Sequence, residues 1–298
     1  MARSIAVVAL LLIGELLPQG SDSPTLAQLL ARAGEFVRYF QQDFASVVSD
    51  EDYRQDVTSR QYSTPSPASR DDVDRLPSKS ERRRTRSEML FLWMPDEAAW
   101  LTVRNVLAVD EEPVPDSQNR LNEAFGTTSV DRGTRLRVLR DASARFNLGT
   151  FYRNINYPTL ALQYLDPAMQ PRFAFTLAGR ERIAGVQTAK IAFEERSRPT
   201  FIQEDGTDRV SNGMLWVAEA DAAIVRTHLE LRIPQRETTM AVDVDYRRDD
   251  RFHMWVPARM HEVYRYSRSS ILLESVECVA SYSNFRRFET SGRMILPK

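Results

Sequence analysis

The stretch VRTHLELRIPQRETTMAVDVDYR, residues 225–247, decides the fold class of this chain. Apolar and polar residues alternate in it twice, over 225–233 and again over 240–247. Such alternation places apolar side chains on one face of a strand and polar side chains on the other. Only residues 234–239 separate the two runs, and a connection this short joins antiparallel strands. The stretch therefore predicts two neighbouring strands of a sheet with one buried face.

The same pattern extends on both sides of this stretch. Further candidate strands cover 173–177, 187–193, 214–217, 260–266 and 271–282. Asp205-Gly206 and Asn212-Gly213 are turn signals between them. Residues from 172 onward are therefore predicted to form an antiparallel meander.

The first half of the chain combines helices with a hairpin of unusual strands. Residues 89–94 are apolar in both alternating phases, and 100–109 are a second segment of this kind, with a turn at Pro95-Asp96. A strand that is apolar on both faces lies between two apolar layers. A first strand is predicted over 44–57.

Four segments of the chain have helical or loop character. An amphipathic helix is predicted over 24–44, with Ser23 as N-cap and Pro24 at the first position. Further helices are predicted at about 129–146 and 158–165. Residues 58–84 contain few apolar side chains that could be buried, and they are predicted to form a mobile loop between two strands.

The first 20 residues have the order of a secretory signal. Arg3 precedes an unbroken apolar run over 5–13, and Pro18-Gln19-Gly20 follows. The run is too short to cross a bilayer. The alternative is a buried N-terminal helix or strand. We expect residues 21–298 to form one exported domain without a transmembrane segment, periplasmic or secreted, with a flexible insertion at about 58–84.

Composition and motifs exclude several classes of function. The net charge is −1, whereas a general nucleic-acid binder normally carries a basic excess. The arginines at 82, 83, 84 and 86 could contact an anionic surface, or simply be a solvated loop end. The motifs G-x-S-x-G, G-x-x-x-x-G-K-[ST] and G-x-G-x-x-G are absent from the sequence. We therefore predict no catalytic residue and no cofactor.

Isolated chemical groups remain as weaker candidates. His253, His261 and Glu262 could form a metal site, but no ligand motif supports it, and none is predicted. Cys278, the single cysteine, is interpreted as a small buried residue. Asparagines at 147, 154 and 156 could line a polar pocket, or act as caps and turn residues. A dispersed pair of carboxylates would be invisible in one sequence, so a hydrolase stays a minor alternative.

All four tryptophans fall in strand-like segments, several of them apolar on two faces. A curved sheet around an apolar interior would use both faces, and so would a tight core without a cavity. If a cavity exists, six residues are predicted to line it: Phe91, Trp93, Trp100, Trp216, Val244 and Tyr246.

The order of segments resembles a known superfamily. A long helix, a hairpin of apolar strands and central helices precede a meander that contains Gly213-Met214-Leu215-Trp216-Val217 and Ala223-Ile224-Val225-Arg226-Thr227. This layout resembles the periplasmic outer-membrane lipoprotein carrier and receptor proteins. Residues 255–288 look like uncharacterised exported bacterial proteins of the same layout. The resemblance implies an α+β fold, mainly antiparallel β, in which helices cover or plug the concave side of a half-open β-barrel.

The resemblance also implies a function. The expected function is that of a non-catalytic carrier or sensor that binds a lipid or acyl group in the barrel, in lipoprotein or lipid trafficking. Its partners would be a lipid or an acylated protein, with peripheral membrane contact and no nucleic acid. The alternative is a cell-envelope interaction protein with a filled core.

Overall fold

The computed structural model describes most of the chain. The described residues are 23–61, 77–94, 99–117, 119–125, 129–150, 153, 156–204, 206–233, 238–268, 272–288 and 294–295. The predicted signal segment lies outside them, as do Pro95-Asp96, Asp205 and Asn154. No helix among the described residues is both long enough and apolar enough to span a membrane.

Three α-helices, three 3₁₀ helices and fourteen strands make up the described part. The helices are α1 (Leu26–Asp43), α2 (Arg120–Phe125) and α3 (Ser129–Ser143), and the 3₁₀ helices are Ala144–Phe146, Ala161–Leu165 and Gln170–Arg172. The strands are β1 (Val47–Gln61), β2 (Ser78–Met94), β3 (Ala99–Val109), β4 (Glu112–Pro113), β5 (Phe173–Ile183), β6 (Val186–Glu195), β7 (Ile202–Glu204), β8 (Thr207–Arg209), β9 (Ser211–Ala218), β10 (Ile224–Ile233), β11 (Thr238–Asp249), β12 (Met254–Arg268), β13 (Leu272–Phe288) and β14 (Met294–Ile295).

Helix α1 begins two residues later than the sequence suggests. Thr25 is the N-cap: its Oγ1 accepts a hydrogen bond from Gln28 N at 3.3 Å, and its own N donates to Gln28 Oε1 at 2.9 Å. This capping box satisfies two backbone donors at once. The predicted cap, Ser23, is therefore wrong, and Pro24 precedes the helix.

Twelve strands form one antiparallel sheet in the order β4-β3-β2-β1-β13-β12-β11-β10-β9-β6-β5, with β14 added to β13. The run from β9 to β13 is the meander that the alternation predicts. β4 and β5 end the path without pairing to each other in the described residues, so the curved sheet is open. Register shifts at Val48/Asp50 and Asp245/Tyr246 are irregularities of the kind that bend strands. The predicted fold class is confirmed.

One core fills the concave side of the sheet. Phe91 on β2 and Ile191 on β6 are far apart in the strand order, yet both belong to one buried cluster with Val37 and Phe40 of α1. The Phe40 ring lies 5.9 Å from the Trp100 ring, and the two are nearly edge to face. α1 therefore plugs the concave side, as expected.

A second helical layer covers the outer face of β1 to β3. Leu90 and Val103 pack there with Leu121 of α2 and Leu136 of α3. The strands that are apolar on both faces thus lie between two helical layers. Their pattern is explained without a cavity.

Both ends of the predicted loop over 58–84 are strand residues. β1 continues to Gln61 and β2 begins at Ser78, and these ends pair with each other, for example Thr58 with Ser80. Residues 62–76 lie outside the described residues. The arginines at 82, 83, 84 and 86 are consequently strand residues, and Arg82 forms an ion pair of 2.6 Å with Asp56.

The predicted turn at Asn212-Gly213 is wrong. Gly213 lies inside β9, opposite Leu229 of β10. A Cβ atom at Gly213 would lie 1.9 Å from the His228 carbonyl oxygen, so the position has no room for a side chain. The glycine permits close approach of two strands rather than a turn.

Candidate functional site

Five of the six residues predicted to line a cavity share the concave face. Phe91, Trp100, Val244 and Tyr246 are buried in the main core, and Trp93 packs against it. Trp93 and Trp100 are direct partners across β2 and β3, with ring centroids 5.4 Å apart. The Tyr246 hydroxyl donates to the Pro158 carbonyl at 2.5 Å. These residues are packed against neighbours, α1 among them.

Trp216 lies on the opposite face. Its indole nitrogen donates to Glu181 at 2.6 Å, and the cationic groups of Lys190 and Arg226 lie 5.3 Å and 5.8 Å from its ring. Its neighbours Leu215 and Val217 point into the main core instead. Trp216 is therefore separated from the other five by the thickness of the sheet.

A buried polar cluster interrupts the apolar concave face. Its members come mainly from the inward phase of β1, β3, β12 and β13, joined by one arginine from the segment after α3. They are Glu51, Tyr53, Gln55, Arg104, Arg153, Glu262, Tyr264 and Cys278, which we call the interior polar cluster.

Arg104 and Glu51 form the ion pair of this cluster. Arg104 Nε donates to Glu51 Oε2 at 2.5 Å and Nη2 to Oε1 at 2.9 Å, with side-chain exposures of 8% and 0%. The Arg104 guanidinium also lies 4.5 Å from the Tyr53 ring centroid. Burial alone would lower the pKa of Arg104, but the charge and hydrogen bonds of Glu51 hold it well above its usual value.

Arg153 is held differently, by neutral acceptors. Its Nη2 donates to Gln55 Oε1 at 2.6 Å and to the Leu148 carbonyl at 2.9 Å. Its Nη1 donates to Cys278 Sγ at 2.8 Å and to the Tyr53 hydroxyl at 3.4 Å. Arg153 is 3% exposed. The guanidinium is thus a buried cation among hydroxyl, amide, carbonyl and thiol groups.

Burial dominates the acid–base behaviour of the other members. It raises the pKa of Glu262, although the charge of Arg153 opposes this, and the Tyr264 hydroxyl donates to Glu262. It also raises the pKa of Cys278 to about 12. The thiol therefore stays protonated at neutral pH, which fits a buried cysteine of low reactivity.

A cavity of about 40 Å³ adjoins the cluster. Arg104, Arg153, Thr102 and Met89 line it, together with Asn156. Asn147 also lines it, so two of the three asparagines considered for a polar pocket meet there. Arg140 and Asp141, exposed near the end of α3, form its rim.

The histidines do not meet Glu262. His261 bonds Glu277 at 2.8 Å, and His228 bonds Asp243 at 2.8 Å, while Glu262 points into the interior. His261 and Glu262 are consecutive in β12, so they project to opposite faces. Within the described residues, no group of three His, Cys, Asp or Glu side chains is close enough to hold a metal ion.

Sequence reasoning missed Glu51, Gln55, Arg104 and Arg153. The signal that could have found the first two is their spacing with Tyr53 and Val57, since residues two apart in a strand share a face. Nothing in the spacing of Arg153 marks it as interior.

No protein-family model matches the chain, and no curated protein is detectably similar to it in sequence. Among solved structures, a DUF1329 family protein from Desulfovibrio piger is similar at 10% identity and a TM-score of 0.28, over 87% of this chain and 92% of that one. An outer membrane lipoprotein-sorting protein domain from Vibrio parahaemolyticus is similar at 7% identity and a TM-score of 0.28, over 86% and 93%. Lipovitellin, described for its lipid–protein interactions, is similar at 8% identity and a TM-score of 0.27, over 82% of this chain and 26% of that one. These neighbours include the kind of protein that the sequence layout resembles.

Proposed function

We propose that this chain is a non-catalytic, exported carrier or sensor that holds the acyl chain of a lipid or acylated protein against the concave face of its sheet. The supporting observation is the nature of the contact between α1 and that face. Leu29, Ala33, Val37 and Phe40 form the apolar part of this buried contact. Gln41 of the same helix is also buried, and its amide nitrogen has no partner in the described residues with α1 in place. A hydrocarbon chain can replace the apolar part of the contact without leaving further buried polar groups unpaired.

The hydrogen bonds that link α1 to the rest of the protein support the proposal that α1 moves away from the sheet when the ligand binds. Arg32 donates to the carbonyls of Glu219 at 3.2 Å and Ala220 at 2.6 Å, and the Gln170 amide donates to the Leu30 carbonyl at 2.9 Å. These bonds are exposed or only partly buried, so water can take over either partner when α1 moves. When α1 moves, the main loss is therefore its apolar packing against the sheet. The acyl chain replaces this packing.

Quenching by brominated acyl chains tests the proposal. Two variants keep a single tryptophan each: Trp100, which contacts Phe40 of α1, or Trp216, on the opposite face. We expect a bromo-fatty acid to quench the Trp100 variant strongly and the Trp216 variant weakly. Circular dichroism controls for folding. Equal quenching of both variants, or quenching of neither, contradicts binding on the concave face.

The packing favours a second candidate, an envelope interaction protein with a filled core. The interior cavity of about 40 Å³ is too small for an acyl chain while α1 is in place. This alternative predicts no quenching of Trp100 and no lipid in a solvent extract of the purified protein.

A further inference from the structure

The buried Arg153 has unused hydrogen-bonding capacity. None of its four hydrogen bonds goes to a carboxylate, and within the described residues its Nε has no partner. A buried guanidinium is usually paired with an anion, because desolvation of an unpaired charge is costly. The charge of Glu262 acts on Arg153, but no hydrogen bond joins the two side chains in the described residues, so the position lacks an anion that is hydrogen-bonded to the guanidinium.

Asn156, which lines the same cavity as Arg153, carries a second unpartnered donor. Asn156 is 8% exposed, and its side-chain amide nitrogen has no partner within the described residues. Arg153 Nε and Asn156 Nδ2 both require acceptor atoms. The cavity of about 40 Å³ has room for roughly three waters, so it suits the few heavy atoms of a carboxylate better than a substituted phosphate.

The concave face leads from this cavity to the aromatic part of the interior. Along β2 and β3 the inward pairs are Met89 with Arg104, Phe91 with Thr102, and Trp93 with Trp100. Met89 lines the cavity and also belongs to the main core. At the usual rise per residue these pairs span about 13 Å, polar at one end and apolar at the other.

We propose that the Arg153–Asn156 cavity receives the carboxylate of a fatty acid whose tail lies along β2 and β3 beneath α1. This proposal rests on the proposed carrier function and adds the class of ligand. A free fatty acid has both parts at the required ends: an anion with acceptor oxygens and an unbranched hydrocarbon chain. The Arg104–Glu51 pair leaves Arg153 as the cation available to it.

The experiment compares decanoic acid with decanol, which share the chain and differ in the head. At about pH 8 the acid is ionised, and we expect it to bind the full chain roughly tenfold or more tightly than the alcohol, since hydrogen bonds to charged groups are the stronger ones. Asn156→Asp keeps the size of the side chain and adds a negative charge to the cavity. It should weaken acid binding about tenfold and leave alcohol binding unchanged.

Arg153→Gln is the second variant, and it should abolish the preference for the acid. Arg226→Gln, beside Trp216 on the outer face, is the matched control and should preserve it. A carboxyl-labelled decanoate followed by NMR gives a separate readout, a pKa of the bound acid below its value in water. If neither probe binds, the carrier function itself fails. If both bind equally and Asn156→Asp changes neither, the carrier stands and the carboxylate site is refuted.

Discussion

The Arg104–Glu51 ion pair allows a quantitative test of how the interior polar cluster is held together. Replacing Arg104 by Met keeps most of the side-chain volume but removes both hydrogen bonds to Glu51, whose side chain is fully buried. The Glu51 carboxylate, whose side chain is 0% exposed, then lacks its charged partner.

The expected loss of stability in Arg104→Met follows from the burial of Glu51 rather than from the lost Coulomb attraction alone. Breaking a buried pair by removing one partner costs roughly 3–5 kcal/mol, because the remaining charge is uncompensated. Domains are stable by only about 5–15 kcal/mol, so Arg104→Met should remove roughly a fifth or more of the free energy of unfolding. The double variant Glu51→Leu, Arg104→Met removes both charges of the pair and should recover most of this loss of stability.

Urea unfolding followed by circular dichroism measures the stability of Arg104→Met, of the double variant and of a control variant. The exposed pair Arg82–Asp56 has side-chain exposures of 87% and 57%, and Arg82→Met serves as the control, with little or no change expected. A loss in Arg104→Met as small as that in the control would refute the reasoning. So would a double variant no more stable than Arg104→Met.

Three further predictions concern single positions. Gly213→Ala should destabilise the chain by roughly 1–3 kcal/mol in thermal unfolding, because its Cβ would lie 1.9 Å from a backbone carbonyl oxygen; an unchanged midpoint would contradict the close approach. Cys278 should resist a thiol reagent at about pH 8 in the native protein and react after unfolding, because burial raises its pKa to about 12; rapid native labelling would show an accessible thiol. The hydrogen bond with Asp243 raises the pKa of His228 above 6.5, so its contribution to stability is present below pH 6.5 and lost as the pH rises through the folded value. Wild type should therefore lose more stability than His228→Gln between about pH 6 and about pH 9, and equal losses would contradict the bond.

Alternation predicted the meander well because backbone pairing and burial agree there. Residues 227–231 and 240–247 place one phase in the core and the other toward water, and β10 and β11 follow that pattern there. The ends of β1 and β2 were not predicted because their backbones pair although few of their side chains are buried. Residues 78–84 are polar in both phases, but their backbone pairs with residues 54–60 of β1. Ion pairs such as Arg82–Asp56 then lie on an exposed ladder, where no apolar pattern is needed.

The face of a strand that turns inward is a tertiary property, and this limited the prediction of the site. Residues 214–217 are apolar in both phases, so nothing local indicates that Leu215 and Val217 point inward while Trp216 points outward. The indole is instead covered by the side chains of Lys190 and Arg226. Long cationic side chains cover apolar surface in this way while their charges stay in water.

The second helical layer changes how the apolar hairpin bears on function. Strands β2 and β3 are apolar outward because α2 and α3 pack on them, so their double pattern is no evidence for a bound lipid. What distinguishes the interior is the reverse feature, a cation placed where an ordinary core would have hydrocarbon. If Arg153 served packing alone, an apolar residue of similar volume would relieve the desolvation cost and stabilise the fold. Within the described residues its four hydrogen-bond acceptors are neutral groups, and Arg153 lines a cavity that also borders Met89, where the aromatic face begins. An anionic head with an apolar tail is the occupant that would satisfy both ends of this arrangement.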